Sequence, residues 1–106
     1  MPKYLIEATY TAQGAKGLLS DGGTKRRDAA AKMIEAAGGK MESFYFTFGK
    51  SDAIVVVDLP DNVSAAAACL AINASGAVTT STIVLLTPGE IDAAVKKSVP
   101  YRAPGQ

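Results

Sequence analysis

The chain has 106 residues, with 11 basic and 10 acidic side chains, 48% hydrophobic residues, one cysteine and no histidine. Its length fits one domain, and its composition is that of a globular protein. The lack of histidine excludes histidine-based acid–base catalysis, zincin motifs and histidine-ligated haem. A single cysteine excludes internal disulfides and multi-cysteine metal sites. The net charge of +1 gives no long-range attraction to nucleic acid or to a membrane surface.

Targeting and cofactor signals are also missing from the sequence. Residues 1–4 show no hydrophobic region of the signal-peptide kind, and the apolar run Ala53–Val57 is far shorter than the roughly 18 residues of a membrane span. We therefore expect a cytoplasmic protein that binds neither nucleic acid nor membrane. We also expect no metal ion and no other cofactor.

Hydrophobic patterning and turn residues predict strands and helices in alternation. The predicted strands are Lys3–Thr11, Lys40–Phe48, Asp52–Leu59 and Val78–Leu86. The predicted helical segments are a short turn at Gln13–Leu19, a helix from the N-cap Thr24 to the stop at Gly38-Gly39, a helix from Val63 to Ala74 capped by Asp61, and a last helix ending near Ser98. Thr87, Pro88 and Glu90 carry the strongest local signal, a capping box at the start of the last helix.

One short connection decides the topology. Only three residues separate Phe48 from Asp52, whereas a parallel crossover needs about a dozen. The second and third strands must therefore form an antiparallel hairpin, and the long helical connections permit right-handed crossovers. We predict an α+β domain over residues 1–98, with a ferredoxin-like βαββαβ order, a four-stranded antiparallel sheet and an extra C-terminal helix. Residues 99–106 are expected to form an extended tail.

Both faces of the predicted sheet are apolar, which indicates a partner. Strand two carries Phe44, Phe46 and Phe48 on one face but Met41 and Tyr45 on the other. A sheet covered by helices on one side should be polar on its second side, and an apolar second side usually marks an interface. We therefore predict a homodimer or a larger ring. The alternative is a monomer in which the C-terminal helix covers that face.

Three groups of residues are candidates for chemistry. Glu7 lies mid-strand among apolar neighbours, so a partner would bury it, either as a general base or in an ion pair across the interface. Tyr10 and Tyr45 could offer hydroxyls in a pocket, although buried tyrosines more often only pack and satisfy one hydrogen bond. Arg26 and Arg27, next to Lys25, could hold an anionic ligand or lie on a solvated face.

The remaining motifs favour structural roles. The segment Gly17–Thr24 approaches a phosphate-binding loop, but Gly23 stands at the lysine position, so a turn that starts a helix is favoured. Asp52 and Asp58 are expected to accept hydrogen bonds from backbone amides near the ends of the third strand. Cys69 is expected to be a small core residue, since no histidine can activate it.

The order of several segments resembles a known family. These segments are Lys3–Thr11, Gly14–Gly17, Gly38–Lys40, Phe44–Gly49, Asp52 and Leu59–Asp61. Together they resemble the GYD domain family, small bacterial proteins often of unassigned function. The resemblance implies a ferredoxin-like fold of the dimeric α/β-barrel kind and no established activity. Of the residues that name the family, Gly49 and Asp52 carry over, whereas Ser51 stands where the tyrosine is expected. A tight hairpin would require a positive φ at Gly49.

The sequence thus predicts a homo-oligomeric module that binds a partner or a small ligand. The alternative is a cofactor-independent enzyme, oxygenase- or isomerase-like, with a cavity of at least ~300 Å³ between helices and sheet. In that enzyme Glu7 would be the base, and Tyr10 or Tyr45 would donate hydrogen bonds.

Overall fold

A computed structural model describes all 106 residues. Four strands and four helices follow one another along the chain. They are β1 (Lys3–Tyr10), α1 (Ala12–Asp21), α2 (Gly23–Ala36), β2 (Lys40–Phe46), β3 (Ala53–Asp58), α3 (Asn62–Ala74), β4 (Val78–Leu85) and α4 (Pro88–Val95). The predicted elements are therefore present, although all four strands end one or two residues earlier than expected and the turn after β1 is a full helix.

The four strands form one antiparallel sheet in the order β2-β3-β1-β4. Residues 47–52 connect β2 to β3, which is longer than the predicted three-residue turn but still too short for a parallel crossover. The other two connections carry helices and pass behind the sheet, with α2 against β2 and α3 against β4. This order and these connections confirm the ferredoxin-like α+β fold.

Strand alternation divides the sheet into a helix face and an open face. Tyr4 and Ile6 of β1 pair with Val57 and Val55 of β3, and all four side chains point toward the helices. The core around them consists of Tyr4, Ile6, Ile34, Val55, Val57, Leu59 and Ala65. The Tyr4 hydroxyl donates to Asn62 Oδ1 at 2.6 Å, which ties β1 to the start of α3 and satisfies this buried polar group.

A β-bulge in β2 corrects one sequence expectation. Met41 pairs with Val57 and Ser43 pairs with Val56, so the register shifts by one residue between them. The extra residue places Met41 on the helix face with Phe44, where both pack against the core. The prediction that Met41 lies opposite the phenylalanines was therefore wrong, because simple alternation cannot anticipate a bulge. Phe48 was expected on the same strand face but lies in the following loop, fully exposed.

Side-chain caps start three of the four helices. Thr11, Asp61 and Thr87 each accept a hydrogen bond from a backbone amide of the first turn, and Thr87 with Glu90 completes the predicted capping box. The predicted cap Thr24 was wrong. Gly22, at φ 80°, turns the chain from α1 directly into α2, and no side chain caps α2.

The Asp61 cap predicts a stability loss in acid. The amide of Ser64 donates to Asp61 Oδ1 at 2.8 Å and lowers the pKa of this carboxyl. A carboxyl with a depressed folded-state pKa stabilises the fold above its unfolded-state pKa, and this contribution fades as the pH falls through the folded-state pKa. We expect urea midpoints measured between pH 6 and about pH 2.5 to fall less steeply for Asp61→Asn than for the wild type, since asparagine caps without titrating. Parallel curves would contradict this role.

The C-terminal arm, which we define as residues 86–106, extends away from the body of the domain. Every residue of the arm is exposed, including all of α4. The radius of gyration is 16.8 Å, whereas a compact chain of this length has about 13 Å. The longest dimension is 56 Å, against 32 and 22 Å for the other two. In the single chain α4 therefore does not cover the open face, as the monomeric alternative required.

Candidate functional site

The open face of the sheet carries an aliphatic row across three strands. Leu5 of β1 lies between Val56 of β3 and Ile83 of β4, in register with both. Ile54 and Leu85 lie on the same face in the adjacent rows. These side chains are half-buried or exposed, and strand neighbours alone shield them. The open face is therefore apolar along this row and at Ile54 and Leu85, and polar toward the pairs Glu7–Ser81 and Thr9–Thr79. No helix of the chain packs across the aliphatic row.

Glu7 and Tyr45 also lie on the open face but do not meet. Both pair with Ile54, Glu7 from β1 and Tyr45 from β2, so the β3 strand separates them by ~10 Å. Glu7 is half-buried and forms no ion pair within the chain. Tyr10 points to the other face, where it lines the space under the helices. The structure thus does not bring the three proposed catalytic side chains together.

The space between the helices and the sheet is nearly filled. The cavity there holds about 30 Å³ and is lined mainly by apolar side chains, among them Ile6, Met33 and Phe44. That volume suits about one water molecule, far below the ~300 Å³ of a small substrate site. Tyr10 and Arg26 reach its wall, but Glu7 and Tyr45 do not.

A charged cluster closes one end of the open face. Lys3 Nζ lies 2.9 Å from Asp58 Oδ1 and 3.2 Å from Glu42 Oε2. The hydrogen bond to Asp58, followed by that to Glu42, raises the pKa of Lys3. Asp58 was expected to accept from backbone amides and instead forms this pair. The cluster leaves a polar rim beside the aliphatic row, as many protein interfaces have.

The two family-motif residues occupy the β2–β3 connection. Asp52 Oδ2 accepts from the backbone amide of Tyr10 at 2.8 Å, and its own amide donates to Ala8 O at 2.8 Å. Asp52 therefore satisfies a backbone amide as predicted, but on β1 and not inside the hairpin. Gly49 is exposed and does not adopt a positive φ, so the conformational role expected for it was wrong. The longer connection removes the need for a tight turn.

The basic segment at the start of α2 is largely solvated. Arg27 pairs with Asp28 at 3.0 Å, and Lys25 lies 3.6 Å from Asp21 one turn earlier. Arg26 is half-buried and turns inward along Ala30 and Met33. Arg26 and Arg27 therefore diverge and do not form one anion site. The preceding segment, Gly17–Thr24, is helical on both sides of Gly22, which agrees with a turn that starts a helix.

Sequence reasoning missed a cleft at the opposite end of the sheet from the charged cluster. Its volume is about 610 Å³, within the usual range for ligand sites. It runs between α1 and the β2–β3 connection, and its lining residues are Tyr10, Ala15, Leu18, Leu19, Gly23, Phe46, Thr47, Phe48 and Asp52. The available sequence signal was the pair of adjacent leucines, Leu18 and Leu19. The structure leaves Leu19 exposed, whereas an amphipathic helix that packs only on its own domain would bury it.

Two packing details shape the cleft. The Phe46 ring packs against Gly23, where a Cβ atom would approach to 3.0 Å, so a glycine at this helix start lets the ring lie close. Phe44 supports Phe46 edge-on, with ring centroids 5.1 Å apart. Both contacts hold the Phe46 ring in place, whereas the Phe48 side chain is fully exposed.

Other kinds of site have little support in the structure. Cys69 is half-buried against Thr82 at 3.1 Å between Sγ and Oγ1, which agrees with a packing role. No three cysteine or acidic side chains gather closely enough to hold a metal ion. None of the helices combines the length and apolar character needed to cross a bilayer.

The fold and its surfaces together define a small ferredoxin-like domain in which one face of the sheet has no partner. Its second feature is the separate cleft between α1 and the β2–β3 connection, which we call the terminal cleft because it lies at one end of the sheet. The GYD domain model matches residues 4–95, which is most of the chain. The protein therefore belongs to the GYD domain family. Neither the curated proteins nor the solved structures contain a significant match.

Proposed function

We propose that this protein is a homo-oligomeric binding module whose basic unit is a dimer joined through the open sheet faces, as in a dimeric α/β barrel. The aliphatic row of Leu5, Val56 and Ile83 carries the proposal, because the arm leaves it uncovered. Exposed apolar surface is unfavourable by about 25 cal/mol per Å². A second copy presents the same aliphatic row and the same polar rim, so two faces are complementary in character.

The size of the face indicates that the arm contributes to the dimer. Four strands about 4.8 Å apart and about seven residues long cover roughly 19 by 23 Å, or about 440 Å². A stable complex buries about 800 Å² on each partner. The arm carries five exposed apolar side chains that could supply the remainder on a partner: Leu86, Ile91, Val95, Val99 and Tyr101. The ion pair predicted for Glu7 across the interface remains part of this proposal.

The catalytic alternative has weaker support. It required a substrate-sized cavity under the helices with Glu7 and a tyrosine converging in it. The cavity holds about 30 Å³, and Glu7 lies on the opposite face of the sheet. The geometry therefore favours assembly and binding over catalysis.

Sedimentation of two variants, each with a glutamate introduced at one of two adjacent positions in β4, tests the dimer. Ile83 on the open face and Val84 on the helix face are consecutive in β4 and are 46% and 55% exposed. In a symmetric dimer Ile83→Glu buries two unpaired carboxylates, so we expect its dissociation constant to rise at least ~100-fold. Val84→Glu should remain dimeric, and a chain ending at Leu86 should dissociate more readily than the wild type.

The same measurement can refute the proposal. The wild type should sediment at twice the 10.9 kDa mass of the chain. A wild type that stays at 10.9 kDa from low to high concentration would refute the dimer. Equal dissociation by both glutamate variants would show that the open face is not the interface.

A further inference from the structure

We infer that the terminal cleft binds a small amphiphilic cation, a protonated amine carried on an aromatic or aliphatic body. Of the cleft's strand residues, Tyr10 and Phe46 lie on the helix face, and none of the lining residues belongs to the aliphatic row of the open face, so this site does not depend on the proposed dimer. The inference rests on three features of the cleft: its apolar walls, its single carboxylate and its exposed phenylalanine.

The walls of the cleft select an apolar ligand body. Leu18 and Leu19 of α1 face Phe46 and Phe48 from the β2–β3 side. Leu19 and Phe48 are exposed to solvent. Exposed large apolar residues that cluster around a concavity mark binding sites more often than isolated ones do. Phe46 is held by Gly23 and Phe44, so this wall is already formed before a ligand arrives.

Asp52 selects a positive charge. It is the one charged residue that lines the cleft, and it forms no ion pair. Its Oδ2 accepts from the Tyr10 amide, which holds the carboxylate in place, while no hydrogen bond within the chain engages its Oδ1. A half-buried carboxylate beside apolar walls attracts a cation more strongly than a solvated one does.

The aromatic rings add to this preference. The faces of phenylalanine rings attract ammonium groups. Arg26 could compete for the carboxylate, but it lines the small cavity behind Tyr10 and not the cleft. Thr47 carries no charge, and its hydroxyl donates to the Ser51 carbonyl and not to Asp52. An anion would meet the Asp52 charge without a compensating donor from a basic side chain.

Titration with three phenyl compounds of one shape tests the inference. Phenethylammonium, neutral 2-phenylethanol and anionic phenylacetate are added in turn to ¹⁵N-labelled protein. We expect saturable shifts for phenethylammonium at the amides of residues 15–23 and 46–52. We expect 2-phenylethanol to bind roughly tenfold more weakly, since it lacks the charge-assisted hydrogen bond, and phenylacetate more weakly still.

Two variants separate the charge from the walls. Asp52→Asn keeps an acceptor for the Tyr10 amide but removes the charge. The affinity for phenethylammonium should therefore fall about tenfold, while the affinity for 2-phenylethanol stays unchanged. Phe48→Ser changes a fully exposed residue and should weaken all three compounds together. The Ile83→Glu chain should bind like the wild type, so failure of the dimer and failure of the cleft are distinguishable.

Several outcomes would overturn the inference. These are equal affinity for all three compounds, unchanged affinity in Asp52→Asn, shifts centred away from the cleft, and the absence of saturable binding at millimolar phenethylammonium. If Asp52→Asn changes the amide spectrum broadly, Phe48→Ser with the three compounds still decides whether the cleft is the site.

Discussion

Replacing Leu59 with alanine should lower the free energy of unfolding by about 3 kcal/mol, within the usual 2–5 kcal/mol for a buried leucine. Leu59 follows β3 and has no exposed surface. Its backbone amide donates to Pro2 O, so the chain cannot easily shift to fill the cavity left by the side chain. Small domains are stable by about 5–15 kcal/mol, so this loss is a large share of the total.

Leu70→Ala provides the matched control for that result. Leu70 lies on α3 and is 69% exposed, so the same chemical change removes little buried surface. We expect a change within about 0.5 kcal/mol. Both variants are measured by urea denaturation at one protein concentration, because association would otherwise shift the midpoints. If Leu59→Ala lowered the free energy of unfolding by less than about 1 kcal/mol, the assignment of Leu59 to the core would be contradicted.

Two glycines of α1 should respond to alanine with opposite signs. A Cβ atom at Gly14 would lie 2.0 Å from the carbonyl oxygen of Ala77, whereas a Cβ at Gly17 meets nothing within 4 Å. The Ala77 carbonyl cannot retreat freely, since it accepts from the Thr11 amide at 3.0 Å. We expect Gly14→Ala to destabilise by about 2 kcal/mol, after subtracting the helix propensity that alanine gains.

Gly17→Ala should instead stabilise by about 0.5–1 kcal/mol, because alanine is the better helix former and nothing opposes it. Thermal melts of both variants and the wild type measure this: the melting temperature should fall for Gly14→Ala and rise for Gly17→Ala. Stabilisation by Gly14→Ala equal to that of Gly17→Ala would show that α1 is not seated on the α3–β4 connection. Such a result would also mean that α1 does not hold the position in which it forms one wall of the cleft.

Local signals predicted the elements well where a side chain acts on its own neighbours. Asp61 and the Thr87–Glu90 box cap helices through contacts three residues apart, so their geometry is contained in the local sequence. Thr24 failed as a cap because Gly22, with its positive φ, already starts α2. Likewise, Gly49 failed as a turn residue because the strands separate earlier than their β propensity indicated.

The candidate sites were harder to predict, because they depend on which segments meet. Alternation along β1 places Glu7 and Tyr10 on opposite faces of the sheet, yet the catalytic hypothesis required Glu7 to converge in one cavity with either Tyr10 or Tyr45. Asp52 was recognised as a backbone acceptor, but its partner is Tyr10, 42 residues away in the chain. The cleft joins α1 to the β2–β3 connection, and no local pattern indicates that Leu19 and Phe48 border the same space.

The sequence by itself determined the ferredoxin-like order, since a short connection forces an antiparallel hairpin whatever the rest of the chain does. It also determined that the second face of the sheet carries apolar side chains as well as the first, because strand side chains alternate with a period of two. Only the tertiary structure decided which of these faces the helices cover, where the β2 bulge turns Met41 inward, and how Asp52 comes to line a cleft. Those outcomes depend on contacts between distant segments, whose energies no local pattern contains.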